Sequence, residues 1–177
     1  MRPTLYLDVD GVLNVARPPY REYLVEVATA DLPDSPRVHR PSADVVTYRV
    51  RVPSVYPVWL AELAELYDLA WATTWEHLAN VHIAPLLGLA GLPVVAFSTL
   101  SPPRFSEATG DWKWRVLCKH GRPPFVWVDD EVSPDVARTA RLTRRARRAA
   151  LWAPEGLERD HVDRLLTHAS ALDALAP

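Results

Sequence analysis

Cysteine is all but missing from this chain. Its 177 residues hold one, Cys118, which has no partner for an internal disulfide. The fold must therefore rest on a packed core rather than on covalent staples, and a reducing, cytoplasmic setting is expected. Lysine is almost as scarce. Lys113 and Lys119 are the only two, set among many arginines, so a lysine at a motif position stands out. No apolar run approaches the roughly 20 residues that a membrane-spanning helix needs. Asp8 and Asp10 interrupt the first apolar run within ten residues, so no secretory leader is expected there. Neither sign of charge dominates. A formal net charge of -2 and a pI near 6.3 give no global pull towards nucleic acid or membrane.

What is present describes an ordinary globule. Hydrophobic residues make up 49% and charged residues 24%, the balance of a chain able to bury a core. The length suits one domain over residues 1–177. No internal repeat is visible.

The most informative stretch lies near the start: Leu5-Tyr6-Leu7-Asp8-Val9-Asp10-Gly11-Val12-Leu13-Asn14. Leu5 to Leu7 read as a buried strand that Gly11 ends. Asp8 and Asp10 are two apart, so on an extended backbone both side chains leave one face. Two adjacent carboxylates repel, and a hard cation such as Mg2+ would relieve the repulsion and prepare the place for phosphate. The plain alternative is a solvated turn, since Asp and Gly are turn residues.

The rest of the chain alternates strands and helices. Tyr23–Val27 and Val45–Val52 alternate as a hairpin with a long polar loop between them, an insertion over residues 15–53 that projects over the end of strand one as a flap. A helix is predicted over Pro57–Asp68, a strand over Leu69–Ala72 and a helix over Glu76–Leu87. A third strand follows at Pro93–Phe97, then a helix at Asp111–His120 and a fourth strand at Phe125–Val128. An arginine-rich helix over Pro134–Ala149, a fifth strand at Ala150–Ala153 and a terminal helix over Leu157–Leu175 complete the pattern. Such alternation predicts an α/β domain with a mainly parallel five-stranded sheet flanked by helices. In such sheets ligands bind beyond the carboxyl ends of the strands. Asp8/Asp10, Thr73/Thr74 and Asp129/Asp130 all fall at predicted strand ends, hence on one rim.

That set has what phosphoryl transfer requires. Asp8 is a candidate nucleophile, since a carboxylate can form an acyl-phosphate, and Asp10 a candidate general acid and base. Asp129 with Asp130 can complete an oxygen-rich Mg2+ site beside Asp8 and Asp10. Thr73 offers a hydroxyl for phosphate, and Lys113 a point charge for phosphate and nucleophile alike. Thr74 is an alternative phosphate ligand, and Asn14 is a further candidate for substrate contact. Each residue alone has a bland reading as a strand end, an N-cap or a solvated helix position.

In order and type, Asp8-Val9-Asp10-Gly11-Val12-Leu13-Asn14, Thr73, Lys113 and Asp129-Asp130 resemble the four motifs of the haloacid dehalogenase-like (HAD) superfamily. The stretch Trp71-Ala72-Thr73-Thr74-Trp75-Glu76 looks most like the small HAD domains of bacterial RNA-repair proteins. The resemblance implies a Rossmann-like core and Mg2+-dependent phosphatase chemistry through an aspartyl-phosphate. It implies Asp8 as nucleophile, Asp10 as acid/base that also gives its backbone carbonyl to Mg2+, Thr73 and Lys113 on the phosphate, and Asp129 as the metal anchor. The short spacings leave no room for a helical cap, so an open site with the hairpin as flap is expected. Nucleotide or nucleic-acid termini suit an open site. A small-metabolite phosphatase and a non-catalytic binding module are the alternatives.

Three features stand outside that set. The run Arg141–Arg148 is either a phosphate-backbone surface or a solvated helix face, and the overall acidic balance favours the latter. Trp75, Trp112 and Trp114 flank motif positions and are read first as packing residues. Cys118 is read as a packed helix residue.

Overall fold

A computed structural model describes residues 2–34 and 41–174. Four parallel strands form the central sheet: β1 (Thr4–Leu7), β4 (Asp68–Trp71), β5 (Phe125–Asp129) and β6 (Arg148–Trp152), in the order β4-β1-β5-β6. Between β1 and β4 the chain makes an antiparallel hairpin, β2 (Tyr20–Ala28) with β3 (Val45–Pro53), and helix α1 (Tyr56–Ala64). Helix α2 (Thr109–His120) leads into β5, α3 (Pro134–Thr139) leads towards β6, and α4 (Arg159–Asp173) closes the fold.

Because the strands are parallel and covered on both faces, they read as continuous apolar runs rather than alternating ones. The alternation instead appears in which face each residue serves. Leu5, Leu7, Leu69, Trp71, Val126, Val128, Ala149 and Leu151 point into a cluster with Leu60 and Leu63 of α1 and Val162 and Leu165 of α4. Tyr6, Ala70, Phe125, Trp127 and Ala150 point the other way, onto Trp112, Val116 and Leu117 of α2 and Val136 of α3. The hairpin joins the first cluster through Val25, Val27, Val50 and Val52. It is a packed arm of the core, not a free projection.

Several sequence expectations are corrected. The segment expected as a strand over Pro93–Phe97 reaches β4 at a single bridge, Trp71 to Val94. Trp71 N donates to Pro93 O at 2.8 Å and Val95 N to Trp71 O at 2.9 Å, then Phe97 N turns back to Val95 O. The described sheet therefore has four strands, not five. The helix expected over Glu76–Leu87 is a turn, one wide π turn at Ala79–Ile83 and a 3-10 turn at Ala84–Leu87. Pro85 has no N–H with which to continue an α ladder.

The arginine-rich helix expected over Pro134–Ala149 stops at Thr139. Its later residues are claimed by the sheet. Ala150 N donates to Ala140 O, Phe125 N to Arg147 O, and Arg148 already pairs with Phe125 as the first residue of β6. Residues 141–147 are the connection that brings the chain back to the start of that strand. The expected terminal helix begins at Arg159 rather than Leu157, and its last expected residue, Leu175, lies outside the described residues. Part of the hairpin loop, 35–40, lies outside them too. Among the described residues no helix is long and apolar enough to cross a membrane.

Candidate functional site

β1 and β5 are adjacent and parallel, so their carboxyl ends open on one edge of the sheet. Asp8 follows β1 and Asp129 ends β5. Asp8 N donates to Val128 O at 3.1 Å, extending the ladder one residue past the strand and fixing the two aspartates side by side. Lys113 arrives from the first half of α2. Its Nζ lies 2.9 Å from Asp8 Oδ2 and 2.9 Å from Asp129 Oδ2. All three side chains are buried, at 4%, 0% and 3% exposure for Asp8, Asp129 and Lys113. Two glycines permit this crowding. A Cβ on Gly110 would overlap the Glu131 carbonyl, so α2 could not come so near. Gly11 has φ +74°, and a Cβ there would overlap the Asp130 carboxyl.

The electrostatics follow from one buried cation among several carboxyls. Burial pushes the Asp8 carboxyl up to about 7, the Lys113 ammonium opposes that rise and the Asp129 charge adds to it. Burial and then the Asp8 charge bring Asp130 up to about 6. Asp129 is also raised by burial, against the pull of Lys113. Burial alone would lower Lys113, but Asp8 and Asp129 outweigh it and hold the ammonium above its ordinary range. Lys113 therefore stays charged, and a single positive charge does not balance the group.

Asp8, Asp129 and Asp130 each offer a carboxylate oxygen, and these atoms lie within 4.8 Å of one another. The donors are all hard oxygens, with no thiolate or imidazole among them, which suits Mg2+ better than zinc. The residues present thus fit the ion expected from the sequence. Asp10 stands apart from this triad. Its exposed carboxylate accepts Asn14 Nδ2 at 2.9 Å on Oδ1 and Trp75 Nε1 at 2.8 Å on Oδ2.

A cleft of about 270 Å3 opens over these groups, lined by Asp8, Asp10, Lys113 and Asp130 with Thr74 and Thr109. Of the two candidate threonines, Thr74 lines the cleft. Thr73 is 1% exposed, and its hydroxyl accepts the Trp75 backbone N–H at 3.3 Å. Asn14 is occupied with local structure. Its Oδ1 accepts Arg51 N at 2.8 Å and its amide nitrogen reaches Asp10. The structure thus brings Asp8, Asp10, Thr74, Lys113, Asp129 and Asp130 together, with Thr73 beneath and Asn14 at the rim.

Thr109 and the link from Trp75 to Asp10 were not legible in the sequence. The only signal for Trp75 was its place two residues past Thr73, and the two partners lie 65 residues apart. No protein-family model matches the chain, and no curated protein matches it.

Proposed function

We propose that this chain is a Mg2+-dependent phosphatase that hydrolyses phosphate monoesters through an aspartyl-phosphate on Asp8. The observation that carries the reading is the buried Lys113 bridge between Asp8 and Asp129, beside Asp130, at the floor of a polar cleft. A structural ion pair would need one carboxylate. Two carboxylates on one buried ammonium, with a third carboxyl within 4.8 Å of them and two of the three raised to about 6 and 7, carry a cost that folding alone does not require.

In this reading Lys113 holds the Asp8 carboxylate in place and supplies positive charge to the phosphoryl oxygens. An Asp8 oxygen forms a bond to phosphorus as the bond to the leaving oxygen breaks, and Asp10 delivers a proton to that oxygen. Asp10 then takes a proton from the water that attacks phosphorus, which frees inorganic phosphate and restores the Asp8 carboxylate. Mg2+, held by Asp8, Asp129 and Asp130, would neutralise the charge of the phosphoryl group when bound. Thr74 and Thr109 place hydroxyl groups at the cleft wall.

At about 270 Å3 the cleft has room for a phosphoryl group and part of what it is attached to. We read the substrate as a terminal phosphate on a nucleotide or nucleic acid. The arginine-rich connection 141–147 precedes the amino end of β6, at the opposite end of the sheet from the cleft, so it does not line the phosphate site.

The test is phosphate release from an aryl phosphate with and without Mg2+, followed by a panel of phosphorylated oligonucleotides, nucleotides and sugar phosphates. Asp8→Asn should lose at least about a thousandfold in turnover, the scale of removing a covalent nucleophile. No Mg2+-dependent turnover above that variant would leave a binding module in place of an enzyme. Preference for sugar phosphates would make it a small-metabolite phosphatase.

A further inference from the structure

Asp10 is exposed, yet both of its oxygens are held, and both donors are tied to the hairpin. Asn14 Nδ2 donates to Oδ1 at 2.9 Å while Asn14 Oδ1 accepts Arg51 N of β3 at 2.8 Å. Trp75 Nε1 donates to Oδ2 at 2.8 Å. The Trp75 ring lies against Tyr48 of β3, with centroids 4.8 Å apart and planes inclined by 56°. Trp75 is 6% exposed, and its single indole N–H donor is committed to Asp10.

The turn that carries Trp75 is itself fixed. Its backbone N–H meets Thr73 Oγ1, and the next residue, Glu76, sits at φ +46° with its carboxylate accepting Ser98 N and Ser98 Oγ. A non-glycine residue in the left-handed region is strained, and the buried Glu76 contacts hold it there. The strained turn places the indole where it meets Asp10. Neither donor to Asp10 is an ion, so the two contacts orient the carboxylate without neutralising it.

We infer that Trp75 is the positioning residue of Asp10, and that Tyr48 on the hairpin sets Trp75, so that β3 determines where the proton donor points. This rests on the phosphatase reading above. Its consequence depends on the leaving group. An alkyl phosphate departs as a strongly basic oxygen and needs the proton from Asp10. A nitrophenyl phosphate departs as a weakly basic oxygen and hardly needs it. A packing role for Trp75 would disturb both substrates alike.

The experiment compares Trp75→Phe, which keeps an aromatic ring but loses the N–H, with wild type on both substrates. With alkyl phosphate kcat/KM, which reports the step in which the leaving group departs and not the later water step shared by both substrates, should fall at least about tenfold, and with nitrophenyl phosphate less than about threefold, since general-acid catalysis is worth a hundredfold or more in full. Tyr48→Leu should show the same pattern more weakly, and Tyr48→Phe should match wild type. A second readout does not need turnover. The indole N–H resonance of Trp75, assigned by its loss in Trp75→Phe, should move in Asp10→Asn. Equal losses of kcat/KM on both substrates, no loss, or an unmoved resonance, with wild-type protein turning over both substrates, would overturn this inference alone. Turnover of neither substrate by wild-type protein would overturn the phosphatase reading and this inference with it.

Discussion

Lys113 carries more of this site than any other residue. It is a buried ammonium whose Nζ touches carboxylates at the carboxyl ends of two neighbouring strands. Replacing it with a neutral side chain leaves Asp8 and Asp129 facing each other in a dry environment. Lys113→Met should therefore destabilise the fold by about 3–5 kcal/mol, the usual cost of stranding a buried charge. Urea unfolding at neutral pH measures it. The loss should shrink when Mg2+ is added, because a bound cation would take over part of the work of the ammonium. At this scale the sequence was already informative. Two lysines in the whole chain made Lys113 conspicuous, and paired aspartates at strand ends announced a charge problem in need of a cation. It was silent on how Thr73 and Thr74 divide, because which of two adjacent side chains faces the cleft depends on the turn after β4.

Among the elements, the connection over residues 141–147 shows how tertiary demands override local pattern. Its arginines and alanine suit a helix, but the next strand must begin beside Phe125, and the chain spends those residues getting there. The connection is pinned by His168 of α4, whose Nε2 meets Ala146 O at 3.0 Å while Nδ1 meets the Tyr67 hydroxyl at 2.9 Å. Burial lowers the His168 pKa below its ordinary value. The unfolded chain therefore binds the proton more readily than the folded one. The stabilisation from neutral His168 is complete above about pH 6.5 and is lost as pH falls through the lower folded value. The stability gap between wild type and His168→Gln should narrow between about pH 7.5 and about pH 5.5. Thermal melting of the two proteins across that range checks it. A gap that is constant or widens in acid would mean the contact does not depend on the neutral ring.

For the molecule as a whole, the buried acidic triad ties stability to pH. Asp8 and Asp130 are raised, to about 7 and about 6. For a carboxyl with a raised folded pKa, the relative stability is present in acid and lost as pH rises through the folded value. That loss falls between pH 4 and 7, and a divalent cation bound to the ionised groups would offset it. Mg2+ should raise the melting temperature clearly at about pH 8 and little at about pH 5, where the carboxyls keep their protons. Melting curves in Mg2+ and in chelator at the two pH values decide the matter. An equal shift at both would place the ion elsewhere.

The sequence by itself determined the layered α/β plan and the rim on which the aspartates gather. Both are local consequences of apolar runs that end in acidic residues, and of strands and helices in alternation. The tertiary structure alone decided that the sheet keeps four full strands, that the arginine run is a connection, and that Trp75 and Asn14 grip Asp10. Those outcomes depend on contacts between residues far apart in the chain, such as Trp75 with Asp10 and Arg51 with Asn14. No local pattern encodes such a pairing, because it exists only once the sheet, the hairpin and the turn after β4 have packed together.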